Sequence, residues 1–243
     1  MGYLNMQTYF HYHTPLHVFH AFSLQHLVTL TIIVILCALL FIFRRGVRRK
    51  RNYFRFMLAI LLFVANVGLH VWLISQNVWS LKRDLPLQLS DIVVLLAIIM
   101  LLTGSSKLFQ FMYFAGLGSS LQAVITPDLG KFSFPHFRYI EFFVSHGGVV
   151  LACLLMVVVY HYRPTLRALW VTFLIVNIYA GCVFAINKGL GSNYLYIMKK
   201  PGNMSLLNFL GPWPWYLLSL ELVMILSFYL LYSPFWIKRR EES

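Results

Sequence analysis

The residues that could do chemistry in this chain sit inside or beside long apolar runs. Ser90 is a candidate nucleophile and His146 a candidate base, with Asp91 and Glu221 as carboxylates able to orient an imidazole ring. A serine hydroxyl is a weak nucleophile unless an adjacent base takes its proton, so a Ser–His pair points to acyl transfer from an ester. Gln122 and Asn187 offer amides that can stabilise an oxyanion. His26, His70, Gln88, Asn193, Tyr194, Trp213 and Trp215 complete a polar and aromatic set suited to holding a substrate. An ionisable side chain in hydrocarbon costs about 2.5–3.5 kcal/mol on insertion scales, so it needs a partner or a watery cavity. Plainer roles compete. A lone histidine such as His26 or His70 also serves as an interhelical hydrogen-bonding group. Glu141 three residues after Arg138 reads as an interfacial ion pair, and a buried thiol such as Cys182 is usually inert.

The elements that carry these residues follow from composition. The 243 residues are 60% hydrophobic and 11% charged, with mean hydropathy +0.73. Soluble domains are about 45–50% apolar and about a quarter charged, so this much apolar surface belongs in lipid. Seven runs are long enough to approach a crossing of about 30 Å of hydrocarbon. They cover 24–43, 53–75, 87–103, 107–125, 139–161, 168–187 and 214–233. The expected fold is therefore all-α: a single polytopic seven-transmembrane-helix bundle over residues 1–243. The third and fourth runs are the shortest and are joined only by Gly104-Ser105-Ser106, so a merged or re-entrant arrangement there is the main alternative. The cysteines Cys37, Cys153 and Cys182 all fall inside apolar runs, which argues against a disulfide framework.

Charge placement sets the orientation. With the N-terminus outside and the C-terminus in the cytoplasm, 13 of the 20 basic residues fall on the cytoplasmic side. These include Arg44, Arg45, Arg48, Arg49, Lys50, Arg51 and Arg55, then Lys107, Arg163, Arg167, Lys238, Arg239 and Arg240. This obeys the positive-inside rule. The Arg44–Arg55 loop can anchor on anionic lipid headgroups at about 1 kcal/mol per basic residue, so the net charge of +13 does not call for nucleic acid. In that orientation every run contributes a polar group near its outer end. At 1.5 Å rise per residue their depths lie between about 0 and 11 Å. The inner halves carry little beyond Thr29 and Thr31, which predicts a polar chamber open to the outer leaflet.

Two outer segments frame that chamber. The loop before the last run closes with Gly211-Pro212-Trp213-Pro214-Trp215-Tyr216, whose indoles suit an interfacial belt and whose length allows it to cap the chamber. The N-terminal His11, His13, His17 and His20 are interspersed with Tyr12, Leu16, Val18 and Phe19, so they read as an interfacial amphipathic segment rather than a metal site.

Several short stretches, taken in order, resemble a known family. Phe22-Ser23-Leu24-Gln25-His26, Leu85 through Ser90, Gly118 through Gln122 with Thr126-Pro127-Asp128-Leu129, Phe142 to His146, Asn193-Tyr194 and Gly211 through Trp215 resemble the YwaF-type bacterial integral membrane proteins. That family is distantly similar to eukaryotic membrane acyltransferases that remodel ether phospholipids, and more remotely to androgen-induced membrane hydrolases. The resemblance implies a multi-pass protein of a bacterial plasma membrane, a phospholipid or lysophospholipid substrate, no cofactor, and a nucleophile on one helix with a His on another. Ser90 stands where a Cys is expected, and Gln88 where many relatives carry His.

The leading expectation is thus a membrane lipid acyltransferase or ester hydrolase with Ser90 as nucleophile and His146 as base. A binder or transporter of a small polar solute would use the same chamber without a nucleophile. A metal-dependent hydrolase would need His70, Asp91 and His146 to converge on one ion.

Overall fold

The computed structural model describes residues 9–13, 18–201 and 206–241, the last four of these and Leu206 by their backbone only. All its regular elements are helical. Seven principal helices run α1 (Leu24–Ile42), α2 (Arg51–Ser75), α3 (Leu89–Thr103), α4 (Ser106–Ile125), α5 (Phe137–Val158), α6 (Leu166–Leu190) and α7 (Trp215–Glu241). A short basic helix, Arg44–Arg49, joins α1 to α2. Six of the seven are long and apolar enough to cross a membrane, and α3 is the shorter one. The chain is a multi-pass membrane protein built as a helical bundle.

Helix ends follow local chemistry. Gly104 and Gly191 take positive φ, the left-handed conformation that glycine adopts at low cost, and so stop α3 and α6. Ser105 and Thr165 cap α4 and α6 by accepting the N–H of Leu108 (3.2 Å) and Ala168 (3.1 Å). At the same end Tyr162 donates its hydroxyl to the Gly104 carbonyl (2.6 Å), and Gln110 donates to that of Arg163 (2.7 Å). The tight Gly104-Ser105 corner therefore separates α3 from α4 as two elements rather than one merged segment. With 15 residues, α3 rises only about 22 Å and falls short of a full hydrocarbon crossing.

Two irregularities are repaired by side chains, as lipid requires. In α4 a π-helical stretch, Met112–Gly116, offsets the helical register, and Cys153 donates its thiol to the Met112 carbonyl (3.4 Å). In α7 Pro234 has no N–H for the Leu230 carbonyl, and Ser233 donates its hydroxyl there instead (2.8 Å).

The bundle is organised around α5. Its apolar window is 72% buried against 11% for α1, so α5 is the axis and α1 faces lipid. The adjacent Gly147 and Gly148 allow this. A Cβ at Gly148 would meet Leu62 Cδ2 of α2 at 2.6 Å, and one at Gly147 would meet Ile33 Cδ1 of α1 at 3.1 Å. Small residues bring membrane helices together where no hydrophobic force drives them.

The polar groups of the spans are less confined than the sequence suggested. Asn177 lies midway along α6 and donates to Glu221 of α7 (3.0 Å), and Asn66 lies within α2. The N-terminal segment also differs from a free amphipathic stretch. Among the described residues it is irregular and docks on the outer ends of α2 and α5, because the Trp72 indole N–H needs an acceptor and finds the Phe10 carbonyl (2.6 Å). His17 lies outside the described residues.

Candidate functional site

A charged cluster lies at the ends of α3 and α5 opposite the Arg44–Arg49 helix, with Tyr179 of α6 beside it. Ser90 and Asp91 lie in the first turn of α3, where a carboxylate also suits the positive end of the helix dipole. On α5, Arg138, Glu141 and Ser145 follow at helical spacing. Arg138 donates to Glu141 in a short ion pair, as the sequence indicated, and Ser145 donates its hydroxyl to the other Glu141 oxygen (2.8 Å). Asp91 lies in the electrostatic reach of Arg138, Glu141 and Asp84. Tyr179 of α6 lies in the field of Asp91 and donates to the Leu87 carbonyl (2.9 Å).

His146 sits below this cluster, 3% exposed and edge-on to Phe142 at 4.4 Å between ring centroids. Its Nδ1 is buried with no hydrogen-bond partner. The charge that acts on it is Arg138. The Oγ of Ser120, on the packed neighbour α4, is likewise buried and unpartnered. Buried polar atoms are satisfied in the great majority of cases, so two orphans on facing helices mark a place where water or a ligand group belongs.

Other residues singled out from sequence have structural employment. Both nitrogens of His26 are committed: Nδ1 accepts the Phe22 N–H (2.9 Å) and Nε2 donates to the Val124 carbonyl (2.8 Å), which clamps α1 to α4. His70 accepts from the Trp79 indole (3.3 Å). Asn187 donates to the Tyr194 carbonyl (2.9 Å) and accepts from the Tyr194 N–H and the Ser192 hydroxyl (2.8 Å each). Asn193 accepts the N–H groups of Met198 and Lys199 (3.1 Å each) and so shapes a turn. Glu221 belongs to the α6–α7 contact through Asn177. Gln122, Trp213 and Trp215 are exposed, and the Trp213 indole donates to the Ile197 carbonyl (3.2 Å). Cys182 is exposed as well.

The loop after α6 closes over the cluster. Tyr194 is buried and its hydroxyl bridges the α2–α3 loop, donating to the Leu81 carbonyl (2.7 Å) and accepting the Leu85 N–H (3.0 Å). Gln88 accepts the Leu195 N–H (2.8 Å), and Tyr196 donates to Asp128 (2.8 Å). Burial and the neighbouring Asp128 both push the Tyr196 hydroxyl above its ordinary range, so it stays a donor. Leu195 and Tyr196 hold positive φ of 58° and 52°. Bulky residues are strained there, and the surrounding bonds enforce the geometry.

Sequence reading passed over Tyr179, Ser120 and the reach of Arg138. A tyrosine or serine in an apolar run is cheap to insert and gives no warning. Arg138 was legible as an ion pair, but not as a charge whose field reaches both Asp91 and His146. Among the described residues no three His, Cys, Asp or Glu side chains converge as metal ligands would.

A family model matches residues 21–232, nearly all of the seven-helix unit, and it is that of the TMEM164 family. No curated protein and no solved structure matches the chain.

Proposed function

This chain belongs to the TMEM164 family, and we propose that it is a lipid acyltransferase or ester hydrolase acting at the outer leaflet. The observation that carries this reading is His146, a buried imidazole with an unpartnered Nδ1. It lies in the field of Arg138, on a helix packed against the one that bears Ser90.

In the proposed reaction Ser90 Oγ attacks the carbonyl carbon of a lipid ester while His146 takes the hydroxyl proton. The tetrahedral intermediate collapses, the lysolipid alkoxide leaves with that proton, and an acyl-serine remains. Water or a lipid hydroxyl then attacks the acyl carbon, again with His146 as base, and Ser90 is restored. Arg138, fixed by Glu141, supplies positive charge at headgroup level. Asp91 balances that charge beside Ser90. The Ser90 and His146 side chains share no hydrogen bond among the described residues; catalytic contacts commonly tighten only when substrate is bound.

A binder or transporter of a small polar solute is the second reading. Asn66 and the Asn177–Glu221 pair favour it, because they carry polarity into the middle of the bundle.

The test is lipid mass spectrometry on purified protein incubated with mixed phospholipid and lysophospholipid. Acyl chains moved or released by the wild type, but not by Ser90→Ala or His146→Gln, support the enzyme. An unchanged lipid pool with all three proteins folded would leave solute binding as the better reading.

A further inference from the structure

The opposite end of the bundle carries a groove that the proposed chemistry does not use. It opens between α1, the Arg44–Arg49 helix, α2 and α5, with a cavity volume of about 580 Å³. That falls within the about 300–1,000 Å³ of small-molecule sites. Every lining side chain is apolar, among them Leu39, Phe43, Val47, Met57, Leu58 and Leu151. Leu155 closes its floor at 4% exposure.

Charge surrounds the mouth. Phe43 and Val47, which line the groove, are followed directly in the chain by Arg44 and Arg48. Arg44, Arg45, Arg48, Arg49, Lys50 and Arg51 are all exposed. Among the described residues the ion pairs are Arg83–Asp84 and Arg138–Glu141, both at the other end, so no described carboxylate pairs with this cluster. His161, just beyond α5, lies in the combined field of Arg44, Arg48 and Arg163. The basic helix and the end of α5 therefore share one electropositive rim above an apolar slot.

The geometry points to a binding site for an anionic glycerophospholipid, its acyl chain in the groove and its phosphate against Arg44 and Arg48. A zwitterionic lipid would fill the slot equally well but gain little from the rim. A soluble anion would leave the slot empty. His146 does not line this groove, whose first residue on α5 is Leu151, and the site does not rest on the acyl-transfer reading.

Native mass spectrometry of the full chain tests it, using equimolar phosphatidylglycerol and phosphatidylcholine of identical chains. Phosphatidylglycerol is expected to be retained at least about tenfold over phosphatidylcholine. At about fivefold per surface basic residue, Arg44→Gln with Arg48→Gln should lower phosphatidylglycerol retention about 25-fold. Both positions are exposed, so the double variant tests charge without disturbing the core. Met57→Trp, which fills the slot from its rim, should also lower retention, whereas Leu174→Trp on the lipid face of α6 should not. Equal retention of the two lipids, indifference to the arginine pair, or indifference to Met57→Trp would each overturn the site.

Discussion

The two ends of the bundle spend their polar groups differently. At the Arg44–Arg55 end the side-chain hydrogen bonds tie corners and helix ends together: Tyr162 on Gly104, Gln110 on Arg163 and Thr165, Tyr160 on Asn52. The orphan there is Arg55 Nε, whose guanidinium packs beside Gly104 and over the rings of Phe56 and Tyr160. At the other end the turns are equally well tied, by Asn187, Tyr194 and Gln88. Polarity is nevertheless left over: Ser120 Oγ and His146 Nδ1 are buried without a partner. An uncompensated polar group in hydrocarbon is costly and is retained where function needs it. The orphan at the first end belongs to a guanidinium stacked on aromatic rings, whereas the other end leaves a hydroxyl and an imidazole nitrogen unpartnered on neighbouring helices.

The sharpest way to break this contrast is to remove the surplus. Ser90→Ala and His146→Gln should each lower acyl turnover by about a thousandfold or more, as removal of a nucleophile or its base does. Melting should shift by only a few degrees. Comparable losses from Gln110→Ala, at the closing end, would erase the distinction.

Packing beneath the cluster comes next. Gly148→Val forces a branched side chain against Leu62 and should cost about 1–3 kcal/mol of stability, the usual range for overpacking, read as a lowered Tm. Arg138→Gln removes the partner of Glu141 and the positive charge whose field reaches Asp91 and His146. It should reduce turnover about tenfold while leaving the bundle folded, and Arg138→Lys should recover part of the loss.

How far the sequence foretold all this depended on what each residue costs in lipid. The helices were legible to within three residues, because hydropathy is a direct statement of insertion energy, except that α7 runs eight residues past the expected 233, into a polar stretch that hydropathy does not mark. Asp91, Glu141 and His146 were legible for the same reason. His26 was legible as an interhelical hydrogen-bonding group, though not its partner Val124, and the employment of Gln88 and Asn187 was not. Whether a polar side chain clamps a loop or faces a cavity depends on partners far away in the chain, as with His26 and Val124. The π-helical offset in α4 that accompanies the buried Ser120 has no pattern of its own beyond Gly116 and Gly118.

Two smaller effects probe the outer clamps. Tyr196→Phe deletes the bond to Asp128 and should cost about 0.5–1.5 kcal/mol, with a raised KM if the loop caps the chamber. His136 caps α5 through Nδ1, which accepts the Arg138 N–H (3.0 Å). Burial, with Lys131 and Arg138 nearby, lowers its affinity for a proton. Below about pH 6.5 the unfolded chain takes up a proton that folded His136 resists, so stability should fall as pH drops through that region. His136→Asn keeps a capping oxygen and should flatten the slope, as thermal melts between pH 5 and 7.5 would show.

The most direct measurement is covalent labelling of the purified protein with a lipid-like fluorophosphonate, mapped by peptide mass spectrometry. A single adduct on Ser90 that disappears in His146→Gln is the expected result. A folded wild type with no adduct, or one labelled at Ser90 equally well without His146, would contradict the assignment of Ser90 and His146 as a catalytic pair.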